Sequence, residues 1–213
     1  FILALSLRLP TLASPLIEDE AISFNRYIDK PWDSLIYNYY DTNQHTLFLL
    51  LSKFSIWVLG EREIAYRLPS LIAGIFSIPL VYLLGRAINI PWPSSAIAAL
   101  LMGVSWPHLK YSLEGRGYSL TVFIVLLATY SAIQLLNDSR LRWGSVFIFA
   151  GFAMVTTLPS NLFFLGGLAV FTVFTKYLES KESTFPIKNI IWTGIPALIT
   201  FVLVAVYFLV IYE

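Results

Sequence analysis

The chain has 213 residues, of which 57% are hydrophobic and only 13% charged, with a mean hydropathy of +0.73. A soluble domain so poor in charge could not cover its own apolar surface. The net charge of +1 gives no electrostatic case for a nucleic-acid partner, and the absence of cysteine excludes disulfides and thiolate metal sites.

Several apolar runs reach the roughly 17–25 residues that cross a bilayer, without the alternation of a β-barrel. The expected fold class is therefore all-α, a polytopic transmembrane helical bundle. Residues 1–14 read as the tail of a first membrane helix, with Arg8 expected to face protein or to snorkel, not to face lipid. This opening lacks the basic start and cleavage site of a signal peptide. The chain begins at Phe1 inside one apolar stretch and ends at Glu213 as another finishes, so it reads as a fragment of a longer protein. Residues 1–213 are expected to form a single transmembrane domain.

Residues 15–66 form a polar outer loop holding most of the carboxylates. Within it Thr46–Leu59 is apolar but short and interrupted by Lys53, the pattern of an interfacial amphipathic helix. Spans are then expected at 67–88, 94–113, 117–136, 143–158, 161–177 and 187–212, about seven with the first. Pro79, Pro107 and Pro196 are tolerable because neighbouring helices satisfy the freed backbone groups.

Alternation puts residues 15–66, the Lys110–Gly117 region and the Thr156–Asn161 turn on one side. Lys and Arg divide almost evenly between the sides, but one short loop on the opposite side carries Arg140 and Arg142, while the Thr156–Asn161 turn carries none. The acidic loop is assigned to the extracytoplasmic side.

Three polar clusters stand out against this background. Glu18-Asp19-Glu20 lies at the edge of an apolar wall. Lost solvation there raises a carboxyl pKa toward general-base territory, although such a triplet can equally just sit in water and end a helix. His45, after Asp41-Thr42-Asn43-Gln44, either orients a phosphate or metal or caps the following helix; a single His is a weak metal signal. His108, beside Trp106, reads as an interfacial residue. The third cluster runs Lys110-Tyr111-Ser112-Leu113-Glu114-Gly115-Arg116-Gly117-Tyr118. Lys110 and Glu114 are spaced to pair on one helix face. The glycines free Arg116 and permit close approach, and an arginine at the membrane surface suits a phosphate as well as it suits snorkelling. Arg67 invites the same two readings. Trp32, Tyr37, Tyr39 and Tyr40 could stack on a sugar or form an interfacial belt.

Together these stretches resemble the GT-C class of membrane glycosyltransferases, above all the branch with dolichyl-phosphate-mannose protein mannosyltransferases and the lipid A aminoarabinose transferase. Asp19-Glu20 matches the family's acid pair in the first outer loop, and Asn43-Gln44-His45 its Asn-x-His run. Gly60, Glu61, Glu63 and Arg67-Leu68-Pro69-Ser70 match the approach to a span. Tyr111-Ser112-Leu113-Glu114-Gly115-Arg116-Gly117-Tyr118 matches its Tyr-Ser-x-Glu-x-Arg-x-Tyr stretch. Thr46-Leu47 stands where the family often has two prolines, and Thr156-Thr157 where it often has Thr-His.

The resemblance implies a GT-C-like bundle moving a sugar, with inversion, from a polyprenyl-phosphate carrier to an acceptor protein, lipid or glycan. It implies Asp19 as base and Glu20 as its partner in positioning acceptor or cation. Arg116, with Arg67 or Lys110, would neutralise the leaving phosphate, and His45, Glu114 and Tyr118 would complete the substrate site. It leaves a divalent metal cation open as cofactor. The competing classes are a secondary transporter, which would carry charges near the midplane of broken helices, and a non-catalytic membrane scaffold.

Overall fold

A computed structural model describes residues 2–60, 63–138, 141–180 and 186–211. Among these residues there are twelve helices and no strand. The first five are α1 (Ile2–Ser6), α2 (Leu9–Leu12), α3 (Glu18–Tyr27), α4 (Trp32–Tyr37) and α5 (Thr46–Leu59). Next come α6 (Glu63–Ala87), α7 (Trp92–Val104), α8 (Trp106–Leu113) and α9 (Tyr118–Asn137), then α10 (Leu141–Thr157), α11 (Asn161–Ser180) and α12 (Pro186–Ile211).

Among the described residues four segments are long and apolar enough to cross a membrane: Glu63–Ala87, Tyr118–Asn137, Asn161–Glu179 and Thr193–Ile211. The other expected spans are shorter. The expected 94–113 helix is broken at Ser105, whose backbone is extended, because Pro107 has no N–H and starts a helix more readily than it continues one. The 1–14 helix is likewise split. Arg8 Nη1 donates to the Ala4 carbonyl at 2.8 Å and thereby satisfies the end of α1, while Pro10 sits in the first turn of α2.

α6 and α9 form the centre. α6 packs against α5, α7, α8 and α9, while α9 leads on to α10, which meets α12. Small residues allow this closeness: a methyl group at Gly74 on α6 would stand 2.4 Å from Ser112 Cβ on α8. The core runs through Phe48, Tyr66, Ala73, Ile124, Ala128, Phe147, Met154 and Leu165. Large apolar side chains also cover the outside, among them Leu101, Phe149, Phe163, Val170 and Leu209. Water would penalise such a surface, whereas hydrocarbon does not.

Buried polar groups tie the elements together. Arg8 is fully buried, as expected, and its Nε donates to Ser112 Oγ at 2.8 Å. His108, expected beside Trp106 at the interface, is buried against α6: its Nε2 hydrogen-bonds the Gly74 carbonyl at 2.9 Å across the α6–α8 contact. Lys53, which interrupts the apolar run of α5, donates to the Ile28 and Lys30 carbonyls and pins α5 to the end of α3. Arg140 and Glu61, used in the orientation and motif readings, lie outside the described residues.

Candidate active site

The first turn of α3 presents Glu18, Asp19 and Glu20. Successive helical residues diverge by about 100°, so neighbouring carboxylates here face different surroundings. Glu18 adopts φ of 46°, in the left-handed region that side-chain-bearing residues seldom use.

Glu20 turns inward. Both of its oxygens receive Arg67, from Nε and Nη2, each at 2.6 Å, and each side chain is 3% exposed. The Gly115 N–H donates to Glu20 Oε1 at 2.6 Å. The rest of the guanidinium serves the backbone before α3: Nη1 donates to the Leu12 and Ser14 carbonyls at 2.9 and 2.6 Å, and Nη2 to the Pro15 carbonyl at 3.1 Å. All five Arg67 N–H groups are therefore engaged, an arrangement that only a fork-shaped cation permits.

Asp19 turns outward. Its Oδ2 accepts from Arg116 Nη1 at 2.9 Å; the carboxylate is half-exposed (51%) and the guanidinium mostly covered (15%). Arg116 Nη2 also donates to Asn43 Oδ1 at 3.3 Å, and its guanidinium lies over the Tyr118 ring, 4.7 Å from the centroid. The Arg116 carbonyl accepts from Ser70 Oγ at 2.8 Å, which fastens the α8–α9 loop to α6.

Two glycines in that loop are required by close approach. A methyl group at Gly115 would stand 2.3 Å from the Tyr66 ring and 2.8 Å from Glu20 Oε1. One at Gly117 would stand 2.5 Å from His45 Nδ1. His45 sits at the N-terminal boundary of α5, without a side-chain capping bond, and its ring is edge-on to Tyr118. Burial, and secondly the charge of Arg116, pull its pKa down from 6.5 to about 4, so the imidazole is neutral at pH 7.

These groups enclose a polar cleft of about 230 Å³ lined by Ile17, Glu18, Asp19, Glu20, Lys110, Tyr111, Glu114, Arg116 and Tyr118. Six of the eight expected site residues thus border one space: Asp19, Glu20, Lys110, Glu114, Arg116 and Tyr118. His45 and Arg67 do not line it but pack directly behind. Lys110 and Glu114 pair across one helical turn at 3.6 Å.

Sequence reasoning gave no substrate-site role to three contributors: the Gly115 N–H, the Asn43 amide oxygen and the Tyr66 ring. The glycines flanking Arg116 were the available signal for the first. Among the described residues no group of three or more His, Asp or Glu side chains is arranged to hold a metal ion.

No curated protein matches the chain. A family described as dolichyl-phosphate-mannose-protein mannosyltransferase matches it over residues 46–208. Arg67, Lys110, Glu114, Arg116 and Tyr118 fall within the match, whereas Asp19, Glu20 and His45 precede it. Because the match covers well over half of its length, the chain belongs to the dolichyl-phosphate-mannose-protein mannosyltransferase family, and that membership implies glycosyltransferase activity.

Proposed function

We propose that the protein transfers a sugar from a polyprenyl-phosphate carrier to an acceptor hydroxyl or amine on the extracytoplasmic face, with inversion at the anomeric carbon. One observation carries this reading. Asp19 and Arg116, 97 residues apart in the chain, meet at 2.9 Å on the wall of one polar cleft at the end of an apolar bundle. In this reading Asp19 is the proton acceptor and Arg116 the phosphate-binding cation, and a lipid-borne phosphosugar emerges beside them.

In this reading the acceptor oxygen or nitrogen attacks the anomeric carbon as the bond from that carbon to the carrier's phosphate oxygen breaks. Asp19 takes the acceptor's proton, and the electron pair leaves with the phosphate. Arg116, aided by Lys110, neutralises the growing charge, a contribution of about 3–4 kcal/mol per well-placed donor. Glu20 and Arg67 are positioning residues, because their polar atoms are already used within the protein. The Tyr118 ring lies against the Arg116 guanidinium, and His45 packs edge-on against Tyr118. The cleft is below the roughly 300–1,000 Å³ of typical ligand pockets and suits one sugar unit better than a glycan chain.

The same reading completes the membrane arrangement. α1–α2, α7–α8 and α10 join the four long helices in a seven-pass bundle, with α3 to α5 at the outer interface. In support, Lys53 on α5 donates to the Ile28 and Lys30 carbonyls just after α3, which ties the two short helices together.

The test is turnover of polyprenyl-phosphate sugar by the purified protein in proteoliposomes. Asp19→Asn is expected to lower the rate by about 10²–10⁴ while the fold persists. An unchanged rate removes Asp19 as base.

A further inference from the structure

We propose that Asp19 occupies the donor-phosphate subsite in the ligand-free protein, so that the donor must displace it from Arg116 before an acceptor can be activated. Binding is then ordered, carrier first and acceptor second. This rests on the transferase reading above and adds to it a mechanism for the order of events.

The charges around the cleft lead to this. Arg67 is met by Glu20 at 2.6 Å, Lys110 by Glu114 at 3.6 Å and Arg116 by Asp19 at 2.9 Å. Among the described residues Glu18 has no ion-pair partner, so the lining carries an excess of negative charge. An incoming phosphate therefore meets no unpaired cation there, and it binds by exchange.

Only one of the three pairs is built for exchange at a fixed cation. Arg67 has every N–H committed and is buried with its partner. Lys110 is more than half exposed (54%) on a long stem, so it gives a phosphate no fixed position. Arg116 is held by Asn43, by the face of Tyr118 and through its own carbonyl by Ser70. Its partner is different. Asp19 stands half-exposed on the first turn of α3 and can leave by rotation about its own side-chain bonds.

A phosphate offers Arg116 charged oxygens equivalent to those it takes away. The exchange is therefore close to balanced, and small terms decide it. Once displaced, Asp19 has both oxygens free for the acceptor proton. After transfer the carrier leaves as Asp19 returns to Arg116.

The experiment measures binding of polyprenyl phosphate to the detergent-solubilised protein, with wild-type turnover and thermal unfolding recorded alongside. Asp19→Asn removes the internal competitor and is expected to bind about three- to tenfold more tightly, the range spanned by an ion pair of this exposure and one like charge nearby. Asp19→Glu keeps the competitor and is expected to bind like wild type. In an Arg116→Gln background the tightening is expected to vanish, either as equal affinities with and without Asp19→Asn or as loss of binding in both. Equal or weaker binding by Asp19→Asn overturns the exchange. So does tightening that persists in full with Arg116→Gln, because it would then be simple repulsion. A wild-type protein that neither binds polyprenyl phosphate nor turns over its sugar ester overturns the transferase reading itself, whereas turnover without tightening overturns only the exchange.

Discussion

Asp19 and Glu20 are neighbours in the chain, and each meets an arginine, yet the two pairs live in different dielectric worlds. Glu20–Arg67 is sealed, saturated with hydrogen bonds and linked to two segments of backbone, the stretch before α3 and the Gly115 loop. Asp19–Arg116 is half open and borders a cleft. A sealed pair cannot be opened cheaply, because either partner alone would be an uncompensated buried charge. An open pair costs little to separate, as the proposed exchange with a donor phosphate requires. The comparison teaches that adjacency in sequence says nothing about shared role. One pair builds the site, and the other is available to work in it.

Mutation of each pair separates these roles. Glu20→Ala strands Arg67 in the interior and is expected to cost about 3–5 kcal/mol of stability, read by denaturant or thermal unfolding in detergent. Asp19→Asn, by contrast, is expected to cost under about 1 kcal/mol. Similar losses from the two substitutions would erase the distinction.

His45 offers a pH test of the wall behind the open pair. Its folded pKa of about 4 lies below the ordinary 6.5. Between those values the unfolded chain binds the proton and the folded protein does not, so stability present above pH 6.5 is lost as pH falls toward 4. The loss attributable to this residue is about 3 kcal/mol, and His45→Gln is expected to flatten that part of the profile. Parallel profiles for wild type and variant would mean that the imidazole is not sealed.

Gly115→Ala drives a methyl group into the Tyr66 ring and is expected to cost about 1–3 kcal/mol, part of it restored by Tyr66→Leu. No recovery in the double variant would place the strain elsewhere. The smallest effect is expected from Lys110→Ala, whose pair with Glu114 contributes about 0–1 kcal/mol to unfolding free energy in detergent. A larger loss would move that pair into the same class as Glu20–Arg67.

Much of this molecule was legible in its residues. The apolar runs announced a helical membrane protein, and counting them placed Asp19-Glu20 and the Lys110–Tyr118 stretch at the same end. The glycines around Arg116 signalled a close approach, which proved to be by Tyr66 and His45. The limits were equally specific. Ser105 breaks a run that hydropathy reads as continuous, and Arg8 splits the first helix by taking one of its carbonyls. His108 looked interfacial beside Trp106, yet it is buried because Gly74 lets α8 come close enough for a hydrogen bond.

What the residues determined by themselves is the solvent and the secondary structure, since transfer free energy accumulates residue by residue and helical bonds close within four positions. What only the tertiary structure decided is which carboxylate is sealed and which is open. That choice depends on where α6 and the α8–α9 loop bring Arg67, Gly115 and Arg116 relative to α3. Differences of a few ångströms there change both the dielectric and the partner, and no local pattern along the chain encodes them.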